Sequence, residues 1–193
     1  MPVADFPLTL LCHPATPAPV VRSLEARAAR TANGDLMLAY RLRGDMVRLL
    51  IPPPAAPDRA DGLWEHSCFE AFVGIAGEPG YHEFNFSPSG EWAGYAFAGY
   101  RQPAVLAAPL PAPRLTATLS AGRLELEVLI AAAALPPNAA AARLQIGLAA
   151  VVEAADVVDG SHSYWSLHHP ASLPDFHHRD GFRLELDPAA GSA

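Results

Sequence analysis

The chain contains no lysine: all 13 basic residues are arginines, set against 20 acidic residues for a formal net charge of -7. Scattered arginines on an acidic background offer no stripe to neutralise a phosphate backbone, so nucleic acid is excluded as an expected partner. Cysteine is nearly absent too. Cys12 and Cys68 are the only two, too few for a disulfide framework, and both read as free thiols. No apolar run reaches the roughly 18 residues of a membrane span. The opening MPVADFPLTLLCHP has no positively charged leader, and LLCH lacks the small residue a lipidated cysteine needs before it. A soluble, cytoplasmic protein is the expectation.

Nucleophile and phosphate motifs are missing as well. There is no G-x-S-x-G, and GEPGYH reads as a turn rather than a phosphate loop, so no catalytic residue is assigned. Helical signal is scarce: AAAALPPNAAAARL can form at most a turn on either side of Pro136 and Pro137. At 193 residues the chain is long enough to bury roughly 70% of its unfolded surface. One domain over residues 1–193 is expected, with a core at about 20–187 and a flexible tail at 188–193.

What remains is a rhythm of short alternating runs between turn signals, which predicts an all-β sandwich or barrel. LMLAYRL places Leu36, Leu38, Tyr40 and Leu42 on one face, and VRLLI is expected to pair with it across Gly44-Asp45. YHEFNF turns through SPSG into WAGYAF, with Tyr81, Glu83 and Asn85 sharing a face. RLTATL joins RLELEVLI through Ser120-Ala121-Gly122. RLQIGLAAVV is apolar on both faces, the pattern of a central strand, and FRLEL closes the set.

Within LWEHSCFEAF, Glu70 falls in an apolar run on the same face as Cys68 and Phe72. A carboxylate there needs a partner, because lost hydration costs several kcal/mol. Trp64, Trp92 and Trp165 each stand at the border of a strand and a loop, where an aromatic can offer a flat face to a ring-shaped ligand. SYWSLHHPASLPDFHH gathers His168, His169, His177 and His178, but as adjacent pairs nine apart with prolines between them. Adjacent residues on extended backbone point to opposite sides, so the spacing does not make a zinc site. The stretch reads instead as a polar network ordering one rim, with Asp175 accepting from backbone N–H groups or an imidazole.

Taken in order, LWEHSCFEAFVG, YHEFNFSPSGEWAGYAF and YWSLHHPASLPDFHHRDGF resemble the DOMON-like superfamily, and within it domains similar to family 9 carbohydrate-binding modules. The likeness rests on the W-x5-E spacing from Trp64 to Glu70, the E-F-N-x-S-P-x-G hairpin and the terminal P-D-F-H string. It implies an all-β, two-sheet antiparallel β-sandwich of immunoglobulin-like architecture that binds sugar or haem at one end and is not an enzyme. Sugar-binding relatives hold a ring between two tryptophans, and Trp64 and Trp165 match those places, with Glu70 and Asn85 as polar partners. The candidate ligand-binding set is Trp64, His66, Glu70, Asn85, Trp92, Trp165, His168, Asp175 and His177. No cofactor is expected. A haem- or metal-binding redox protein, suggested by the eight histidines, is the alternative; haem-binding relatives hold the iron between a methionine and a histidine, with Met37 and Met46 as the methionines. An interaction domain without a small ligand is the third reading.

Overall fold

The computed structural model describes residues 6–106, 108–155 and 161–189. Twelve strands build two antiparallel sheets: β1 (Leu8–Cys12), β2 (Val21–Arg30), β3 (Leu36–Gly44), β4 (Cys68–Ile75), β5 (Tyr81–Phe86), β6 (Trp92–Gly99), β7 (Gln102–Pro103), β8 (Arg114–Ser120), β9 (Arg123–Ile130), β10 (Leu144–Ala154), β11 (Ser161–Ser166) and β12 (Leu184–Leu186). The first sheet runs β1-β2-β3-β9-β8 and the second β7-β6-β5-β4-β10-β11, with β12 beside β10. β1 joins them, pairing with β2 through Leu8–Leu10 and with β11 through Leu11 and Cys12. Together they form the expected β-sandwich. No helix among the described residues is long and apolar enough to cross a membrane.

Period-two alternation decides what lies between the sheets. Leu24, Leu36, Tyr40, Leu42, Leu124 and Leu126 from the first sheet meet Phe69, Val73, Phe84, Phe86, Ile146 and Leu148 from the second. The Tyr40 hydroxyl donates across the core to the Glu70 carbonyl at 2.8 Å, which satisfies its one buried polar group. β10 is central, flanked by β4 along one edge and by β11 and β12 along the other.

Three expectations change. Residues 47–51 do not return along β3: Asp45 caps a 3-10 turn at Met46–Arg48, its carboxylate accepting from the Val47 N–H at 3.3 Å. β3 pairs instead with β2 and β9. The core also begins earlier than residue 20, since Leu10 of β1 is fully buried. Of the proposed tail, residues 190–193 lie outside the described residues, whereas Ala189 is buried and its N–H bonds the Ala140 carbonyl. The proline-interrupted alanine stretch forms one short turn on each side of its prolines, at Ala132–Ala134 and Ala139–Ala141, as expected. The guanidinium of Arg30 holds it by donating to the carbonyls of Ala139, Ala140 and Ala142.

Candidate functional site

The outer face of the second sheet follows from strand parity. On β4, Phe69, Ala71, Val73 and Ile75 enter the core, so Cys68, Glu70, Phe72 and Gly74 point the other way. Register then places Asn85 beside Glu70, Glu83 beside Phe72 and Tyr81 beside Gly74. Tyr95 of β6 lies opposite Glu83. On the far side, Ala149 of β10 lies between Glu70 and Ser166, and Val151 between Cys68 and Tyr164.

One half of this face is closed by the chain after β11. Phe176, His177 and Phe182 pack on Phe72, Tyr81 and Phe97. Two residues without a side chain make room for them. A Cβ at Gly147 would sit 2.9 Å from the Phe182 ring, and one at Gly74 would collide with the Arg179 guanidinium. Asp175 ties this strap to the β6–β7 turn, accepting from the Tyr100 hydroxyl (2.6 Å), the Arg101 guanidinium (2.9 Å) and the His177 N–H (3.2 Å). Burial would raise the Asp175 carboxyl, but those donors and the Arg101 charge outweigh it and hold it below the usual carboxylate range. Histidines fasten the other end: His169 contacts the Leu11 carbonyl at 2.8 Å, and buried His13 contacts the Ala171 carbonyl at 3.3 Å.

The Arg101 N–H donates to the Tyr81 hydroxyl, leaving that hydroxyl free to donate to His177 Nδ1 at 2.8 Å. Burial, reinforced by the Arg101 charge, lowers His177 to about 4. Its Nε2 lies 3.6 Å from Glu83 Oε2, too long for a hydrogen bond.

The other half of the face holds the acids. Glu83 accepts from the Asn85 amide at 2.7 Å. Burial raises its carboxyl, while the Asn85 bond and Arg101 pull the other way. Glu70 is 4% exposed, and among the described residues no donor bonds its carboxylate. Burial first, and the Glu83 charge second, push Glu70 well above the usual range. Burial and the same Glu70 charge raise the Cys68 thiol.

Against β4 and β5 lies a 3-10 turn, Leu63–Glu65, entered through Gly62, whose φ of 78° favours glycine. Side chains tether it. His66 Nδ1 contacts Glu153 Oε2 at 3.0 Å, His162 Nε2 contacts the Glu65 carbonyl at 2.9 Å, and Arg59 pairs with Asp61 at 2.9 Å. Trp64, 44% exposed, meets Tyr95 edge-on with ring centroids 6.1 Å apart. The Tyr95 hydroxyl donates to Asp61 at 2.6 Å. Trp64 and His66 line a surface hollow of about 620 Å³ together with Pro52, Asp61, Ser87 and Glu91; Glu70 is not part of its wall.

The structure therefore gathers Trp64, His66, Glu70 and Asn85 at one end of the face, with Asp175 and His177 in the strap beside it. It does not bring in Trp165. That residue pairs with Ala150 on the core side, is 7% exposed, and its indole N–H donates to the Ser163 hydroxyl at 2.9 Å. Trp92 pairs with Phe86 on the core side of β6 and is also buried. His168 is an exposed strap residue whose carbonyl accepts from the Ser166 hydroxyl. Sequence reasoning passed over Glu83, Tyr95 and Tyr164. Their signal was parity, since Glu83 alternates in step with Asn85, and Tyr164 rather than Trp165 is in step with Cys68.

The histidines also bear on haem. Met37 lies on the first sheet, none of whose strands contains a histidine, and Met46 packs against the core. Among the described residues no three His, Cys, Asp or Glu side chains are grouped to hold a metal ion.

No family model matches the sequence, and no curated protein matches it. Solved structures do match in shape. A candidate carbohydrate-binding protein from Bacteroides uniformis aligns over 92% of this chain and 83% of its own, with a TM-score of 0.59 and 17% identity. A family 9 carbohydrate-binding module from Caldicellulosiruptor kristjanssonii, solved in complex with glucose, aligns over 100% of this chain and 93% of its own, with a TM-score of 0.56 and 10% identity. At such identities the likeness is one of fold.

Proposed function

We propose that the outer face of the second sheet binds a small polyhydroxylated, sugar-like molecule without transforming it, at the end occupied by Trp64, Glu70, Glu83 and Asn85. The observation that carries this is Glu70: a carboxylate on a residue 4% exposed that accepts from no donor among the described residues. A ligand hydroxyl supplies the missing donor, and the exposed Trp64 ring supplies an apolar face for the carbons of a sugar ring. The Leu63–Glu65 turn lies against β4 and β5, and its displacement would widen access to Glu70. That turn is held largely by side-chain contacts from His66, His162 and Arg59, and segments held in this way open more readily than paired strands. The resemblance in fold to a module solved with glucose supports the ligand class. The narrower assignment to the DOMON-like superfamily, drawn from the Trp64-to-Glu70 spacing and the E-F-N-F-S-P-S-G hairpin, belongs with this proposal.

The test is titration of glucose, N-acetylglucosamine, cellobiose and a cell-wall disaccharide against tryptophan fluorescence and calorimetric heat. A saturable response to at least one sugar, lost in Glu70→Ala and weakened in Trp64→Ala, is expected. Absence of saturable heat with every sugar would overturn the reading.

A further inference from the structure

The two ends of the strand order are built differently. β7 is two residues long and ends in Pro103, a protected edge. β8 is seven residues, Arg-Leu-Thr-Ala-Thr-Leu-Ser, paired to β9 without a bulge and, among the described residues, to nothing on its other side. It contains no proline, and its one charge is Arg114 at the end.

The free edge can be read residue by residue. The Gly44 N–H donates to the Gly122 carbonyl at 3.2 Å, which fixes the alternation along β9. Residues 124, 126, 128 and 130 turn their backbone to β3, and residues 123, 125, 127 and 129 turn theirs to β8. Their partners on β8 are Ser120, Thr118, Thr116 and Arg114. The N–H and C=O groups of Leu115, Ala117 and Leu119 are therefore the ones at the open edge. The side chains of these three residues lie on the core side of the sheet, yet only Leu115 packs against the core. Ala117 is exposed and Leu119 is 57% exposed, overhanging the sandwich.

Residues 115–119 read Leu-Thr-Ala-Thr-Leu, the same in both directions about Ala117. We propose that β8 pairs antiparallel with β8 of a second copy of this chain about a two-fold axis through Ala117, joining the two first sheets into one. Symmetry requires each contact to occur twice, with partners exchanged, and the palindrome meets that demand. Leu115 faces Leu119 of the other copy, Thr116 faces Thr118 and Ala117 faces itself. The three pairs that carry outward backbone groups each exchange two hydrogen bonds. Leu119 gains an apolar neighbour, Thr116 meets a residue of its own kind, and Arg114 falls opposite Ser120, so no like charges meet across the strands.

Sedimentation velocity and light scattering on the full chain provide the test. The buried area is small, so the dimer is expected at roughly 100 µM and above. Ala117→Glu places a carboxylate against its own copy at the axis and yields a monomer with unchanged strand circular dichroism. Ala117→Cys separately forms a disulfide-linked dimer on oxidation, because directly bonded pairs hold Cα atoms about 5.5 Å apart, while Leu119→Cys alone does not. Should Ala117→Glu fail to fold, the two cysteine variants decide the matter. A wild-type chain that stays monomeric to about 500 µM, a dimer that Ala117→Glu leaves intact, or equal cross-linking at 117 and 119 overturns the proposal.

Discussion

Glu70 and Glu83 project from neighbouring strands onto one face, a diagonal step apart, and the charge of Glu83 raises the pKa of Glu70. Both acids are destabilised in their charged form, Glu70 chiefly by burial. A carboxyl whose folded pKa exceeds its unfolded value weakens the fold above that unfolded value, and the penalty fades as pH falls through the folded pKa. Glu70→Gln removes it. The variant is expected to melt higher than wild type at pH 8, with a gap that narrows toward pH 4, while its affinity for sugar falls at least tenfold. Melting curves across pH, alongside titrations, check both halves; a variant that melts lower at pH 8 would contradict the buried, unpartnered acid.

The two tryptophans at the ends of the W-x5-E motif and the SYWS strand should separate cleanly. Trp165 is core, so Trp165→Ala is expected to cost about 3–5 kcal/mol in urea unfolding. Trp64 is half exposed and touches Tyr95 at its edge, so Trp64→Ala is expected to cost within about 1 kcal/mol. Only the second should abolish a ligand-dependent fluorescence change while leaving the unfolding midpoint near wild type.

Gly147 tests how closely the strap after β11 is fitted. Its missing side chain lets the Phe182 ring lie against β10. Gly147→Ala forces the ring outward and disturbs its contacts with Phe72 and Tyr81, at a cost of about 1–3 kcal/mol. Hydrogen exchange should show faster opening at residues 176–182, with β2 and β3 unchanged.

The sandwich could be read from the sequence because β9 alternates, β10 is apolar on both faces, and turn residues separate β5 from β6 and β8 from β9. β2 could not: VRSLEARAAR is made largely of residues that favour helices, and only stacking between the sheets makes it a strand. The expected partner of β3 failed for a local reason, since Asp45 bonds the Val47 N–H and starts a turn where a hairpin was expected. At the site, parity put Glu70 on one face with Cys68 and Phe72, and that holds because β4 is paired on both sides; Asn85 was named as its polar partner through the family resemblance. Trp165 was chosen for its polar flanks, Tyr164 and Ser166. Those flanks belong to the outer face, and their presence on either side is what sends the indole inward.

His177 supplies the last prediction. Burial and Arg101 lower its folded pKa to about 4, below the value near 6.5 of an unfolded histidine. The neutral ring is what the strap accommodates between Phe72, Phe97 and the Tyr81 hydroxyl. Its contribution to stability is therefore complete above about pH 6.5, declines as pH falls below that value because the unfolded chain takes up a proton that the folded chain resists, and is lost by about pH 4. The trend runs opposite to that of Glu70, so the wild-type profile is the sum of the two. His177→Gln keeps an amide able to accept from Tyr81 and does not titrate. Its melting temperature, measured from pH 7 to pH 4, is expected to fall less steeply than wild type, and Glu70→Gln to fall more steeply. Parallel profiles for His177→Gln and wild type would mean that the fold leaves the ring's pKa at its unfolded value, and a wild type that falls less steeply than His177→Gln would mean that the ring is charged in the folded protein and its contact with Glu83 is an ion pair.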